Sequence, residues 1–251
     1  MELGVLMVAV LVVGGALALV RRGQGRTAAL NAAVDAFRLG DGEEGERQFE
    51  VLSPLLKGVR DRVDAAERLT RARAFEHALE LVEAARAHTE EDPRVERLRA
   101  LLHGKMVRDD AVGLMRAWLE RSPKDYEVRM ELSRLLLRLR RLDEAVESLE
   151  VVLGRHPEDL EARSMLGRAH FFAGRLVEAE AALKAAFVVR DKRRRRVVSM
   201  YDPGTETGYD FKVAVEGQWE EEQDRLLLAQ IRDGEASAAV AQVSAVEARV
   251  P

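Results

Sequence analysis

The chain begins with a long, uninterrupted hydrophobic segment. No charged residue occurs between Glu2 and Arg21, and every residue of that interval, LGVLMVAVLVVGGALALV, is apolar or small. As a helix this segment extends about 27 Å, which is enough to span a thin hydrocarbon core. A helix that is apolar on every side needs lipid or a protein interior around it. The pattern therefore predicts an uncleaved transmembrane anchor over residues 1–22.

The residues that flank this segment predict its orientation. Arg21, Arg22 and Arg26 follow it at once, and the positive-inside rule places such residues in the cytoplasm. We expect a single-pass protein of the inner, cytoplasmic membrane, with the rest of the chain in the cytoplasm. A cleaved signal peptide is the alternative and would make the chain a periplasmic protein. Gly14 and Ala18 form a small-xxx-small pair, which leaves homo-oligomerisation through the anchor open.

Beyond the anchor, the hydrophobic pattern is helical and repeats. RLDEAVESL at 141–149 is followed 34 residues later by RLVEAEAAL at 175–183. The abundant Ala, Leu, Glu and Arg are good helix formers, and long alternating β-branched runs are missing. Small residues recur every 33 or 34 positions, at Gly45, Ala78, Ala111, Ala145 and Ala179. A helical period of this length indicates helix pairs that stack on their neighbours.

The last two repeats resemble the tetratricopeptide-repeat (TPR) family. That family has a large apolar residue at position 7, small residues at positions 8, 20 and 27, and an apolar residue at position 24. The matching residues are Leu132, Ser133, Ala145, Leu149 and Val152 in one repeat and Leu166, Gly167, Ala179, Leu183 and Ala186 in the next. The resemblance implies about five antiparallel helix pairs, at about 26–58, 59–91, 92–125, 126–159 and 160–193.

Two further segments follow the repeats. Residues 194–217 contain the turn signal Asp202-Pro203-Gly204 and are predicted to be a basic, irregular linker. Residues 218–251 are predicted to form two helices. The fold class predicted is therefore all-α, with a TPR-type α-solenoid over 23–193 between the transmembrane helix and a C-terminal helical cap. The alternative is that the last two helices bind a partner or a second protomer.

The layout is similar to that of the lipopolysaccharide assembly protein B family. That family also combines a short anchor and an arginine pair with a cytoplasmic TPR array. It adds a rubredoxin-like metal module built on cysteines. This chain contains no cysteine, so the resemblance implies neither that metal module nor its function for this protein.

Composition and motifs exclude several classes of function. The absence of cysteine excludes disulfides and thiolate nucleophiles, and the formal net charge of −4 argues against a general nucleic-acid binder. No P-loop, G-x-S-x-G or H-E-x-x-H pattern occurs, so we expect no enzymatic activity, metal or cofactor. The segment 40–45 matches G-x-G-x-x-G, but it follows a helical stretch and carries three acids. An inter-helix turn explains that segment better than a dinucleotide site.

The resemblance also implies a binding surface, because positions 2, 5, 9, 12 and 13 of the first helix line the concave face of TPR arrays. In the fourth and fifth repeats these positions combine arginine with apolar residues, the composition of interface hot spots. They favour a partner peptide or helix with acidic and apolar side chains. The predicted partner-binding groove comprises Glu127, Met130, Arg134, Leu137, Arg138, Ser164, Arg168, Phe171 and Phe172. The alternative is that Phe171 and Phe172 pack under the C-terminal cap.

The densest cationic run is Lys192, Arg193, Arg194, Arg195 and Arg196. It predicts contact with anionic lipid headgroups, or with another anion, at the cytoplasmic face of the membrane. A solvated helix end is the alternative, and nucleic-acid binding would lack interleaved aromatic residues for base stacking. Together these features predict a membrane-anchored scaffold or adaptor that mediates protein–protein interaction and complex assembly at a bacterial inner membrane.

Overall fold

The computed structural model describes residues 24–89, 92–199 and 218–233, and the regular structure of these residues is entirely helical. The predicted all-α class is therefore confirmed for this part of the chain. The predicted anchor, residues 200–217 of the linker and residues 234–251 of the cap lie outside the described residues. Within the described residues, no helix has the length and apolar character needed to cross a membrane.

The helices come in pairs, and each predicted repeat contains one pair. The two helices of a pair are joined by a short turn, as the period of 33 or 34 residues predicts. A 3₁₀ turn, Ser53–Leu55, follows the second helix of the first pair. The α-helices of the described residues are α1 24–39, α2 Gly42–Leu52, α3 Val59–Arg71, α4 Phe75–Arg86, α5 Pro93–Lys105, α6 Ala111–Arg121, α7 Tyr126–Arg138, α8 Leu142–Arg155, α9 Leu160–Phe172, α10 Leu176–Ser199 and α11 Gln218–Asp233.

The same backbone turn closes all five pairs. After the first helix of each pair, one residue has a positive φ, and the next N–H donates to the carbonyl five residues earlier. Two examples are the 2.9 Å bonds from Arg141 N to Leu136 O and from Arg175 N to His170 O. This Schellman motif satisfies the last carbonyls of the helix while the chain reverses. The residues with positive φ are Gly40, Arg73, Val107, Arg140 and Gly174.

The recurring small residues lie where the two helices of a pair touch. Gly45, Ala78, Ala111, Ala145 and Ala179 are all buried. At Gly167, an added Cβ would lie 2.6 Å from Cγ of Leu183, and at Gly45 it would lie 2.5 Å from the Phe37 ring. A larger residue at Gly167 or Gly45 therefore requires the side chain of Leu183 or Phe37 to move.

The chain divides into two compact units, with the boundary between Trp118 and Leu119 inside α6. The first unit contains α1–α5. Its core runs through all of these helices and includes the fully or almost fully buried Leu52, Leu69 and Leu81. Aspartate caps the start of α5, where the Asp92 side chain accepts from a backbone N–H two residues later.

The second unit contains α7–α11. Met130, Leu149 and Met165 form a core cluster between the fourth and fifth repeats. A separate cluster joins α11 to the fifth repeat, and there Phe171 packs with Leu227. The order of the helices and their packing thus place α11 directly against the predicted concave side of α9.

The second helix of the fifth repeat is longer than predicted. It continues to Ser199, so residues 194–199, the first six of the predicted irregular linker, are helical. Lys and Arg are good helix formers, and no Gly or Pro interrupts the chain before Pro203. Charge alone is therefore not a signal for the end of this helix.

Candidate partner-binding groove

The groove residues contributed by α7 differ widely in accessibility. Glu127 and Arg138 are exposed, while Arg134 and Leu137 are half-buried. Met130 is only 1% exposed, because it belongs to the core between the fourth and fifth repeats. Four side chains in the α7 part of the predicted groove are thus at least partly accessible, whereas Met130 is buried in the core.

Arg134 is an ion-paired link between repeats. Its Nη2 and Nε donate to Oε1 of Glu161 at 2.6 and 2.9 Å, and its Nη1 donates to Oε2 of Glu131 at 2.9 Å. Burial alone would lower the pKa of the Arg134 guanidinium, but the two carboxylates raise it. Arg134 therefore holds α7 against α9 in addition to any contact with a partner.

The groove residues contributed by α9 are covered by α11. The Ser164 hydroxyl donates to Asp224, with oxygen distances of 2.7 and 2.9 Å to its two carboxylate oxygens. Arg168 Nη1 donates to Oε1 of Gln223 at 3.3 Å. Phe171 is 2% exposed and packs in the cluster that joins α11 to the fifth repeat. Three of the four predicted groove residues on α9 thus contact a helix of the same chain.

Phe172, the fourth of these residues, is half-buried beside Phe171. The two rings meet edge to face, with their centroids 5.8 Å apart. The guanidinium of Arg140 lies 4.1 Å from the centroid of the Phe172 ring. Arg140 follows α7 in its Schellman turn, so it brings a cation over an aromatic surface at the edge of the groove.

A buried arginine completes the site, and nothing in its sequence context singles it out. Arg190 comes from α10, and its Nη2 lies 3.3 Å from Oδ2 of Asp224. Its Nε lies 4.0 Å from Oε2 of Glu221. In the sequence Arg190 stands just before the basic run 192–196, and no signal distinguishes it from those cations.

The charges in this contact are removed from water. Asp224 is fully buried and Arg190 is 9% exposed. Burial raises the pKa of the Asp224 carboxyl, against the opposing effects of the Ser164 hydrogen bond and of the nearby Arg168 and Arg190. The site can therefore hold a carboxylate, but it does so at a considerable desolvation cost.

The basic run is partly engaged within the chain. Lys192 forms an ion pair with Glu158, and Arg193 Nη2 donates to the backbone carbonyl of Glu158 at 2.8 Å. The side chains of 194–196 lie outside those described. Contact of this run with lipid or another anion stays a prediction.

The described residues give no support to a metal site or a dinucleotide site. In the described ranges, no group of three or more His, Asp and Glu side chains is arranged to hold a metal ion. The G-x-G-x-x-G segment forms the turn between α1 and α2 and the start of α2, where Asp41 caps the helix. It follows a helix and not a strand, as the inter-helix interpretation predicts.

Comparison with protein families identifies the repeats. The model of the tetratricopeptide repeat matches residues 108–153 and 130–188. Residues 108–188 thus contain TPR repeats, which include α7 and α9 of the candidate groove. No curated protein matches the chain.

Several solved structures share the fold. A crystal structure of MamA protein is 14% identical, with 69% of this chain and 96% of that chain covered and a TM-score of 0.53. A structure of MamA MSR-1 is 20% identical, with 67% and 98% covered and a TM-score of 0.52. MamA from Desulfovibrio magneticus RS-1, from residue 41 to its end, is 17% identical, with 71% and 96% covered and a TM-score of 0.50. At these identities the similarity is one of fold.

Proposed function

We propose that this protein is a non-enzymatic TPR scaffold or adaptor that assembles protein complexes at the cytoplasmic face of a bacterial inner membrane. Residues 1–22 anchor it in that membrane. The groove of the fourth and fifth repeats binds a helix or peptide with acidic and apolar side chains. Anchoring raises the effective concentration of the bound partner near the membrane without any additional contact.

The observation that supports this proposal is that α11 lies on the predicted groove residues Ser164, Arg168 and Phe171. An amphipathic helix laid into a groove is a recurring mode of peptide recognition. The groove accommodates such a helix within the chain, with a carboxylate at one end and apolar side chains at the other. Exposed Arg138 and Glu127 extend the same surface along α7.

The test is crosslinking in cells, followed by purification from membranes and mass spectrometry. The groove variant combines Arg138→Glu with Arg168→Glu. Arg134 is left unchanged, because its reversal would place a carboxylate against Glu161 and weaken the fold itself. We expect one or a few crosslinked proteins to be lost from the groove variant.

The matched control combines Lys124→Glu with Lys184→Glu, which makes the same change of charge at exposed positions outside the groove. This variant should retain the crosslinked proteins of the wild type. Circular dichroism establishes that both variants keep the wild-type helix content. If the same proteins crosslink to the wild type and to both variants, the groove is not the partner site.

A further inference from the structure

The groove-facing side chains of α11 form an ordered pattern along the helix. Residues spaced by three or four positions lie on one helix face. On α11 this face begins with two acids one turn apart and ends with apolar residues, whereas Glu222, Arg225 and Leu226 are exposed. The groove-facing residues are Glu221, Gln223, Asp224, Leu227, Leu228 and Ile231.

The groove presents polar and apolar side chains in the same order as α11. Its polar end holds Ser164 and Arg190, which contact the carboxylate of Asp224. Its apolar end holds Phe171 and Leu183, which pack with the fully buried Leu227. The direction in which a helix can bind is therefore fixed, with its acids over Arg190 and its leucines over Phe171.

The fit of α11 is incomplete at the polar end. Nη1 of Arg190 and Nε2 of Gln223 are buried donors with no hydrogen-bond acceptor among the described residues. A buried donor without an acceptor loses its bond to water and gains nothing in return. A helix that places a further carboxylate oxygen near Arg190, or a glutamate at the place of Gln223, would make bonds that α11 leaves unmade.

We propose that the partner segment of this groove is an amphipathic helix with two carboxylates one turn apart, followed about one turn later by a pair of leucines, and that it binds by replacing α11. This inference rests on the proposed function and specifies its ligand. Residues 200–217 connect α10 to α11, and a fully extended chain of this length reaches about 60 Å. α11 displaced from the groove would stay attached to the chain through this connection.

The test uses the helix itself as the probe. A fluorescein-labelled synthetic peptide of residues 218–233 is titrated with the full-length chain, and fluorescence anisotropy gives its affinity. In the wild type, α11 competes with the peptide at an effective concentration of about 1 mM. The changes Leu227→Asp and Asp224→Arg, made separately in the chain, each undock α11. We expect both variant chains to bind the peptide at least about 10-fold more tightly than the wild type does.

The matched control is Leu226→Asp, which puts the same side chain on the exposed face of α11. Leu226 is 53% exposed, so this chain should bind the peptide as weakly as the wild type. A peptide that carries Asp224→Arg should lose binding to both undocked chains. A peptide that carries Gln223→Glu should bind them several-fold more tightly, because it replaces a buried amide donor by a carboxylate beside Arg168.

Two results would overturn the inference. One is equal affinity of the peptide for the wild type and for both undocked chains, since α11 would then not occupy the peptide site. The other is no binding to either undocked chain while circular dichroism shows native helix content. If crosslinked partners are nevertheless lost from the groove variant, the scaffold function stands and only this ligand chemistry is wrong.

Discussion

At the scale of single residues, Gly167 shows how closely the two helices of a repeat approach. An added methyl group at Gly167 would lie 2.6 Å from Cγ and 2.7 Å from Cδ2 of Leu183. Leu183 is fully buried, so it cannot move away without repacking its own neighbours. We expect Gly167→Ala to lower the free energy of unfolding by about 1–3 kcal/mol, measured by thermal or urea denaturation.

Gly154→Ala is the control for that change. Gly154 is an exposed residue of α8, and nothing lies within 4 Å of the place a Cβ would take. Alanine favours a helix over glycine by up to about 1 kcal/mol, so this variant should be as stable as the wild type or more stable. A Gly167→Ala variant that is as stable as Gly154→Ala would contradict the close-contact explanation.

Asp110 and His103 make a contact that depends on pH. His103 Nδ1 lies 2.6 Å from Oδ1 of Asp110, and this hydrogen bond lowers the pKa of the Asp110 carboxyl. Because the folded pKa lies below the unfolded value of about 3.9, the contact stabilises the fold above that pH. Its contribution is lost as the pH falls through the lowered pKa.

We therefore expect Asp110→Asn to be less stable than the wild type at pH 7, and the difference to shrink below about pH 4. The difference should be at most about 1 kcal/mol, because the Asp110 side chain is 53% exposed. Thermal unfolding of both proteins between pH 3 and pH 7 measures it. A difference that stays constant over this range would show that titration of Asp110 does not contribute.

Residue-level prediction worked where sterics decide and failed where distant parts of the chain meet. The small residue at position 20 and Gly167 follow from the repeat period alone, since every repeat imposes the same contact. Arg190 could not be identified, because its role depends on Asp224, which is 34 residues further along the chain and on a different helix. The burial of Ser164 and Phe171 under α11 likewise depends on where the chain returns after residue 217.

At the scale of helices, the five Schellman turns hold their central residue in the left-handed region. Gly40 and Gly174 adopt it without strain, but Val107 does so with φ 54°, which is costly for a β-branched residue. Val107 is also 42% exposed, so its side chain contributes little packing. The left-handed conformation at Val107 is therefore strained, and a glycine at this position would remove the strain.

We expect Val107→Gly to stabilise the protein by about 0.5–1 kcal/mol. The strain energy removed is larger than the free-energy cost of the additional conformational entropy that glycine loses on folding. Thermal unfolding should show a rise of about 2–4 °C per kcal/mol for a chain of this length. Gly174→Ala at the same turn position, with φ 74°, should do the opposite. A fall in the melting temperature of Val107→Gly would mean that the turn is not strained.

The periodic pattern predicted the helix pairs because each pair depends on contacts that recur in every repeat. It did not reveal Asp92, Asp125 and Asp159, which cap the first helices of three successive repeats through their side chains. Their spacing of 33 and 34 residues equals the repeat period, so the sequence could have predicted these caps. The extension of α10 to Ser199 could not be read from the period, because it lies beyond the last repeat.

At the scale of the whole molecule, the proposed orientation in the membrane can be tested by cysteine labelling. The chain contains no cysteine, so a single introduced cysteine is labelled alone. We expect Lys184→Cys to react with an impermeant maleimide only after lysis of spheroplasts, because the proposed orientation places the repeats in the cytoplasm. Glu2→Cys, on the other side of the proposed anchor, should react in intact spheroplasts.

The labelling results distinguish an uncleaved anchor over residues 1–22 from a cleaved signal peptide. Labelling of Lys184→Cys in intact spheroplasts would contradict the cytoplasmic location and favour the exported form. Loss of the labelled Glu2→Cys terminus from the mature protein would indicate cleavage. Membrane fractionation of the same cells shows directly whether the chain stays with the membrane.

The contact between α11 and α9 also has a kinetic consequence. The Ser164–Asp224 hydrogen bond joins residues 60 positions apart, whereas Arg134 and Glu161 in neighbouring repeats are 27 apart. Local contacts form early in folding because they close short loops at low entropic cost. α11 should therefore dock last during synthesis, after the helix pairs have formed. A newly made chain would pass through an interval in which the groove is open and a partner present at the ribosome could bind first.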